Sequence, residues 1–154
     1  MLRHWIKHHK LILWVLALSL ATSSSGLTPK TESPEKITRS IQTALRESQT
    51  LNVLFVNHLR PPLSAIEKSS VDRRIRQGKR KFKKEGITGK SLTDIYTIAA
   101  LGREQAGQAL ETERQHSGNR TRALHLFTSS QVNYLCAEFL LTESKKLIAH
   151  PKPY

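Results

Sequence analysis

Eight cationic side chains fall within twelve consecutive positions of this 154-residue chain: Arg73, Arg74, Arg76, Lys79, Arg80, Lys81, Lys83 and Lys84. Arg and Lys packed this closely concentrate positive potential, which suits a polyanion such as a sulfated glycan. The same residues also suit proteolytic processing. Arg73-Arg74-Ile75-Arg76 has Arg at both ends of a furin-type tetrapeptide. Gln77-Gly78-Lys79-Arg80 is similar to the end of an amidated peptide precursor, where dibasic cleavage exposes a glycine. A third reading is a solvated loop with no special partner. The sequence leaves all three open.

Other reactive side chains form no catalytic constellation. His58, His116, His125 and His150 are scattered, and no two stand at metal-ligand spacing on one helix face. Cys136 is the only cysteine, so an internal disulfide is ruled out. It reads as a small core residue in an apolar stretch, with pairing between chains as the alternative. Gly89-Lys90-Ser91 matches only the tail of a phosphate-binding loop, because Lys84 stands where the first glycine belongs. Glu111 and Glu113 read as solvated charges. No cofactor and no metal is implied, and the expectation is a protein that is not an enzyme. Asn119-Arg120-Thr121 is a complete N-glycosylation acceptor in a polar break before a helix, the exposed setting it requires.

The start of the chain sets the compartment. Arg3, Lys7 and Lys10 precede the run Leu11–Ala21, which is followed by small polar residues. That order is a secretory signal peptide, with cleavage expected after Ala21. The run is about half the ~20 residues that span a bilayer as a helix. An uncleaved short anchor is the alternative, and only that case implies a membrane. Of the net charge of +13, three positive charges lie in residues 1–21, which leaves +10 on the remainder. Export makes nucleic acid the poorest of the acidic partners.

These residues need elements to position them. Residues 22–33 read as a flexible leader, and residues 34–150 as one helical domain. Ser33, Pro34 and Glu35 form a helix start, and Ile37, Ile41, Ala44, Ser48, Leu51 and Phe55 continue at helical spacing until Pro61-Pro62. The basic connection spans 63–89. Gly78, Gly86 and Gly89 weaken a helix there, although Ser64 and Glu67 fit a capping box. A second long helix starts at Ser91 and carries small residues along its later half. A third runs from about Thr121 to Ala149. Phe55, Phe127, Leu135 and Phe139 are expected in the core, with Phe139→Ala costing ~3–5 kcal/mol. The predicted architecture is an all-α bundle of three long helices, leaving open a short fourth in the basic crossover.

Arg39-Ser40-Ile41-Gln42, the stripe that follows and the Pro-Pro loop resemble the first helix of the ciliary neurotrophic factor and cardiotrophin group of helical cytokines. Ser130-Gln131-Val132-Asn133-Tyr134-Leu135 through Glu138 and Leu141 is similar to a later helix of that group. The resemblance covers about a third of the chain. It implies a secreted ligand for a protein receptor. The group has four long helices where three are read here, and no receptor-contact position carries over. Two alternatives stand beside the cytokine-like ligand. One is a peptide precursor cleaved at the basic segment. The other is a bacterial periplasmic or membrane-anchored helical protein.

Overall fold

The computed structural model describes residues 32–85, 90–115 and 119–149. The expected signal peptide, residues 1–21, lies outside the described residues, as does the leader up to residue 31. Four helices follow one another: α1 Pro34–His58, α2 Ala65–Lys84, α3 Leu92–Arg114 and α4 Arg120–Ala149. No strand occurs among the described residues.

Each helix begins where a side chain satisfies its free amides. Ser33 Oγ accepts from the Lys36 amide at 3.3 Å, with Pro34 at the first helical position. Ser91 and Asp94 form a reciprocal capping box at the start of α3. Asn119 Oδ1 accepts from the Arg122 amide at 3.1 Å at the start of α4.

The basic segment corrects the sequence reading. Residues 63–89 are not mainly a connection: they contain α2, a helix of 20 residues. Its capping box is complete, with Ser64 Oγ accepting from the Glu67 amide at 3.2 Å and Glu67 Oε2 accepting from the Ser64 amide at 2.9 Å. Arg and Lys are themselves strong helix formers. Val71, Ile75, Gly78 and Phe82 recur at helical spacing and turn towards α4 as one stripe. Gly78, read from sequence as a weakness, is the point of closest approach: a Cβ there would lie 2.7 Å from Val132 Cγ2.

The main body is α1, α3 and α4, with the closest packing between α3 and its two neighbours; α2 packs against α4 alone. One apolar cluster joins Ile41, Ala44 and Leu45 of α1, Ile95 and Ala99 of α3, and Ala137, Leu140 and Leu141 of α4. A second joins Phe55, Leu59, Val71, Ala109, Leu110, Ala123 and Phe127. The membership of these clusters sets the helix directions. The beginnings of α1 and α3 meet the end of α4, so α1 and α3 run together and α4 runs against them. Phe82, near the end of α2, packs on the first cluster, so α2 runs with α4. The connections are short, at residues 59–64, 85–91 and 115–119.

Small residues let α3 and α4 approach, as their abundance in the later half of α3 suggested. A Cβ on Gly102 would lie 3.2 Å from Asn133 Cβ and 3.4 Å from the Ser130 carbonyl oxygen. A buried polar layer sits at this level. Ser130 Oγ donates to the Gly102 carbonyl at 2.8 Å and accepts from Asn52 Nδ2 at 3.0 Å. Its single proton is thereby used, so Ser48 must donate in the 3.3 Å contact between the two hydroxyls. Asn52 Oδ1 is buried without a hydrogen-bond partner. An amide oxygen left so costs about 1–3 kcal/mol.

Of the four expected core residues, Phe55 and Phe127 are buried and stack at 4.9 Å between centroids. Leu135 is half-buried. Phe139 is not a core residue: it is 44% exposed. The apolar face of α4 is broader than one core needs, and Phe139 falls on the side where only α2 stands. Truncating a side chain this exposed removes much less buried area than truncating a core residue, so the several kcal/mol expected of a core position do not apply.

Candidate functional site

Helix α2 is where the chemistry gathers. With 3.6 residues per turn, the stripe of Val71, Ile75, Gly78 and Phe82 points at α4, and the eight cations divide among three directions. Arg74 and Lys81 flank the stripe on one side. They line a polar cleft of about 780 Å³ shared with Gln105 of α3 and His125, Thr128, Ser129 and Asn133 of α4. Lys79 and Lys83 flank it on the other side, beside a groove of about 420 Å³ formed with α4. Arg73, Arg76, Arg80 and Lys84 project away from the bundle. All eight are exposed.

Their charge is almost uncompensated. No acidic residue lies between Asp72 and Glu85. Of the eight, only Lys81 has a carboxylate partner among the described residues, Glu85 at 3.8 Å, and both are well exposed. The sequence identified these residues as a group, and the helix displays them together. The spacing did not show that the group has three faces, because residues 63–89 read as a connection. The missed contributors are His125, Thr128 and Ser129, which stand on α4 some fifty residues away. No local signal links them to the basic run.

A clasp fixes α2 in position. Arg120 donates from Nε to Glu67 Oε1 at 2.7 Å and from Nη2 to Glu67 Oε2 at 3.0 Å. Arg120 also donates to the carbonyls of Pro61 at 2.9 Å and Pro62 at 3.3 Å. The planar guanidinium therefore ties the start of α2, and the loop before it, to the start of α4. Hydrogen bonds from Arg120, then from the Ser64 amide, hold the Glu67 carboxyl at about 2, well below its ordinary 4.5. The paired Arg120 guanidinium is correspondingly raised.

Cys136 is 4% exposed, at the floor of the Lys79–Lys83 groove. Burial pushes its thiol up to about 11, against a smaller opposing pull from Lys79. It is therefore a protonated core thiol at neutral pH. Asn119 is exposed, and its Oδ1 serves as the α4 cap, which leaves Nδ2 outside that bond. No group of three or more His, Cys, Asp or Glu among the described residues is placed to hold a metal ion. No described helix is long and apolar enough to cross a membrane. His116 and His150 lie outside the described residues.

No protein-family model, no curated protein and no solved structure matches this chain. The case for function therefore rests on the site itself.

Proposed function

We propose that this chain is an exported, non-enzymatic helical protein that acts by binding, with the cationic face of α2 as its working surface. The observation that carries the reading is the display on one helix of eight exposed cations, seven without a carboxylate partner among the described residues. Such an array costs self-repulsion and is relieved by an acidic partner. Sulfated glycans suit it best, since they present repeating anions that the outward Arg73, Arg76, Arg80 and Lys84 and the cleft residues Arg74 and Lys81 can meet together. Export is supported by the Leu11–Ala21 run and its basic lead. Glycosylation at Asn119 belongs to the same reading.

A cytokine-like ligand for an acidic receptor face remains part of this proposal, on charge rather than on topology. Growth-hormone and cytokine bundles run up-up-down-down with two long crossovers. Here the directions alternate and the connections are short. The precursor reading is weaker, because both processing-type tetrapeptides lie inside α2 and not in an exposed loop.

Retention on a heparin column tests the proposal. Replacing Arg73, Arg74, Arg80, Lys81 and Lys84 together with Gln is expected to lower the eluting salt concentration strongly and leave the helical circular dichroism unchanged. Exposed charges are screened over ~8 Å at physiological ionic strength, so the parent itself should elute steeply with salt. Equal elution of the two proteins would overturn the reading.

A further inference from the structure

The groove on the opposite flank of α2 differs in chemistry from the polar cleft. Its floor is Phe82 of α2 with Leu135 and Phe139 of α4, and Cys136 closes it from below. Its volume, about 420 Å³, falls in the ~300–1,000 Å³ range of small-molecule sites. Phe139 is a large apolar side chain left 44% exposed. Lys83 Nζ stands 5.8 Å from the centre of its ring. Lys79 and Lys83 are one helical turn apart, and neither has a carboxylate partner among the described residues.

Two carboxylates, Glu138 and Glu143, also line the groove, with Lys146 beside them. Glu143 accepts from Lys146 Nζ at 2.8 Å, and Glu138 accepts from the Tyr134 hydroxyl at 3.3 Å. Lys146 offsets Glu143, so the ammonium groups of Lys79 and Lys83 outnumber the one remaining carboxylate, Glu138, above an apolar floor. That combination fits a molecule with one anionic end and one apolar tail.

We infer that the groove between α2 and α4 binds a free long-chain carboxylate, a fatty acid, with its head on Lys79 and Lys83 and its tail along Phe82, Leu135 and Phe139. Charge complementarity selects the anionic head, and the exposed Phe139 ring selects the tail. A single free chain is favoured over a bilayer because the outward face of α2 carries Arg73, Arg76, Arg80 and Lys84 with Ile66 as its one large exposed apolar side chain, which is less than the continuous apolar face that insertion requires. This inference uses Lys79 and Lys83, whereas the glycan contacts proposed above use the outward and cleft faces of α2.

Dodecanoate below its micelle-forming concentration is the probe, titrated calorimetrically into the purified full-length protein. Saturable binding of one molecule per chain is expected. Lys79→Gln with Lys83→Gln should weaken it at least tenfold, and Phe139→Ala should weaken it several-fold. Arg73→Gln with Arg80→Gln removes the same charge from the outward face and should leave binding nearly unchanged. All these positions are exposed, and unchanged circular dichroism checks that the variants are folded. Equal weakening by both charge pairs would mean general attraction and would overturn the site. Equal binding of dodecyltrimethylammonium, with the same tail and the opposite charge, would overturn the role of the lysines. Association with anionic phosphatidylglycerol vesicles and none with free dodecanoate would replace the fatty acid with a membrane surface.

Discussion

Helices α1, α3 and α4 bury one another, whereas α2 leans on α4 alone. The body is held by Ile41, Ile95, Phe55 and Phe127, by alanines and Gly102 at the helix crossings, and by the polar layer of Ser48, Asn52 and Ser130. Helix α2 is held by a narrow stripe and one arginine clasp. The rest of its surface stays charged and exposed. The contrast separates two tasks. A helix that must be buried on several sides has little surface to spare for charge. A helix docked on one side keeps about two-thirds of its circumference for contacts outside the domain, at the expense of weaker attachment.

The largest expected effect falls in the body. Phe55 is fully buried and stacked on Phe127. Phe55→Ala should cost ~3–5 kcal/mol and lower the stability of all four helices together, measured by denaturant titration. A loss below ~1 kcal/mol would remove the distinction between body and attached helix.

Gly78 is the point at which the comparison can be broken from the other side. Gly78→Leu forces a side chain against Val132, which already stands 2.7 Å from an added Cβ. Overpacking of this kind costs about 1–3 kcal/mol. It should lower amide-exchange protection along α2 while α1 and α3 keep theirs. Uniform loss in every helix would show that α2 is an integral part of the body.

The smallest effect is the response of the clasp to acid. Glu67 has a folded value of about 2 against an ordinary 4.5. A depressed carboxylate stabilises the folded state fully above its ordinary value, and that contribution is lost as pH falls from about 4.5 through about 2. Attachment of α2 should therefore loosen over that interval, seen as faster amide exchange in its first turns. Glu67→Gln should flatten the response. An unchanged profile in that variant would assign the loosening to other carboxylates.

Much of the helical layout was legible in the sequence because it is written locally. Ser33-Pro34, Ser91 with Asp94, and Ser64 with Glu67 all cap the helices they suggested. The basic run was legible as a cluster of charge but not as a helix, since intrinsic signals there conflict: good helix formers, mutual repulsion and Gly78. Tertiary contact with Val132 resolves the conflict. Phe139 misled because an apolar residue at helical spacing looks the same whether a neighbour covers it or not. Asn52 and Ser130 gave no sign of being core residues, because polar side chains read as surface until a partner from another helix is seen.

The sequence by itself determined the helix starts, the charge of α2 and the lone thiol, since each depends on residues within a few positions of one another. Only the tertiary structure decided which side of each helix is covered. It placed α2 on α4 and joined Arg120 to Glu67 across fifty-three positions. It turned Arg74 and Lys81 towards a polar cleft and Lys79 and Lys83 towards an apolar groove. Helical periodicity fixes the angles between side chains on one helix, but the neighbour that gives each angle its meaning is chosen by packing between distant segments.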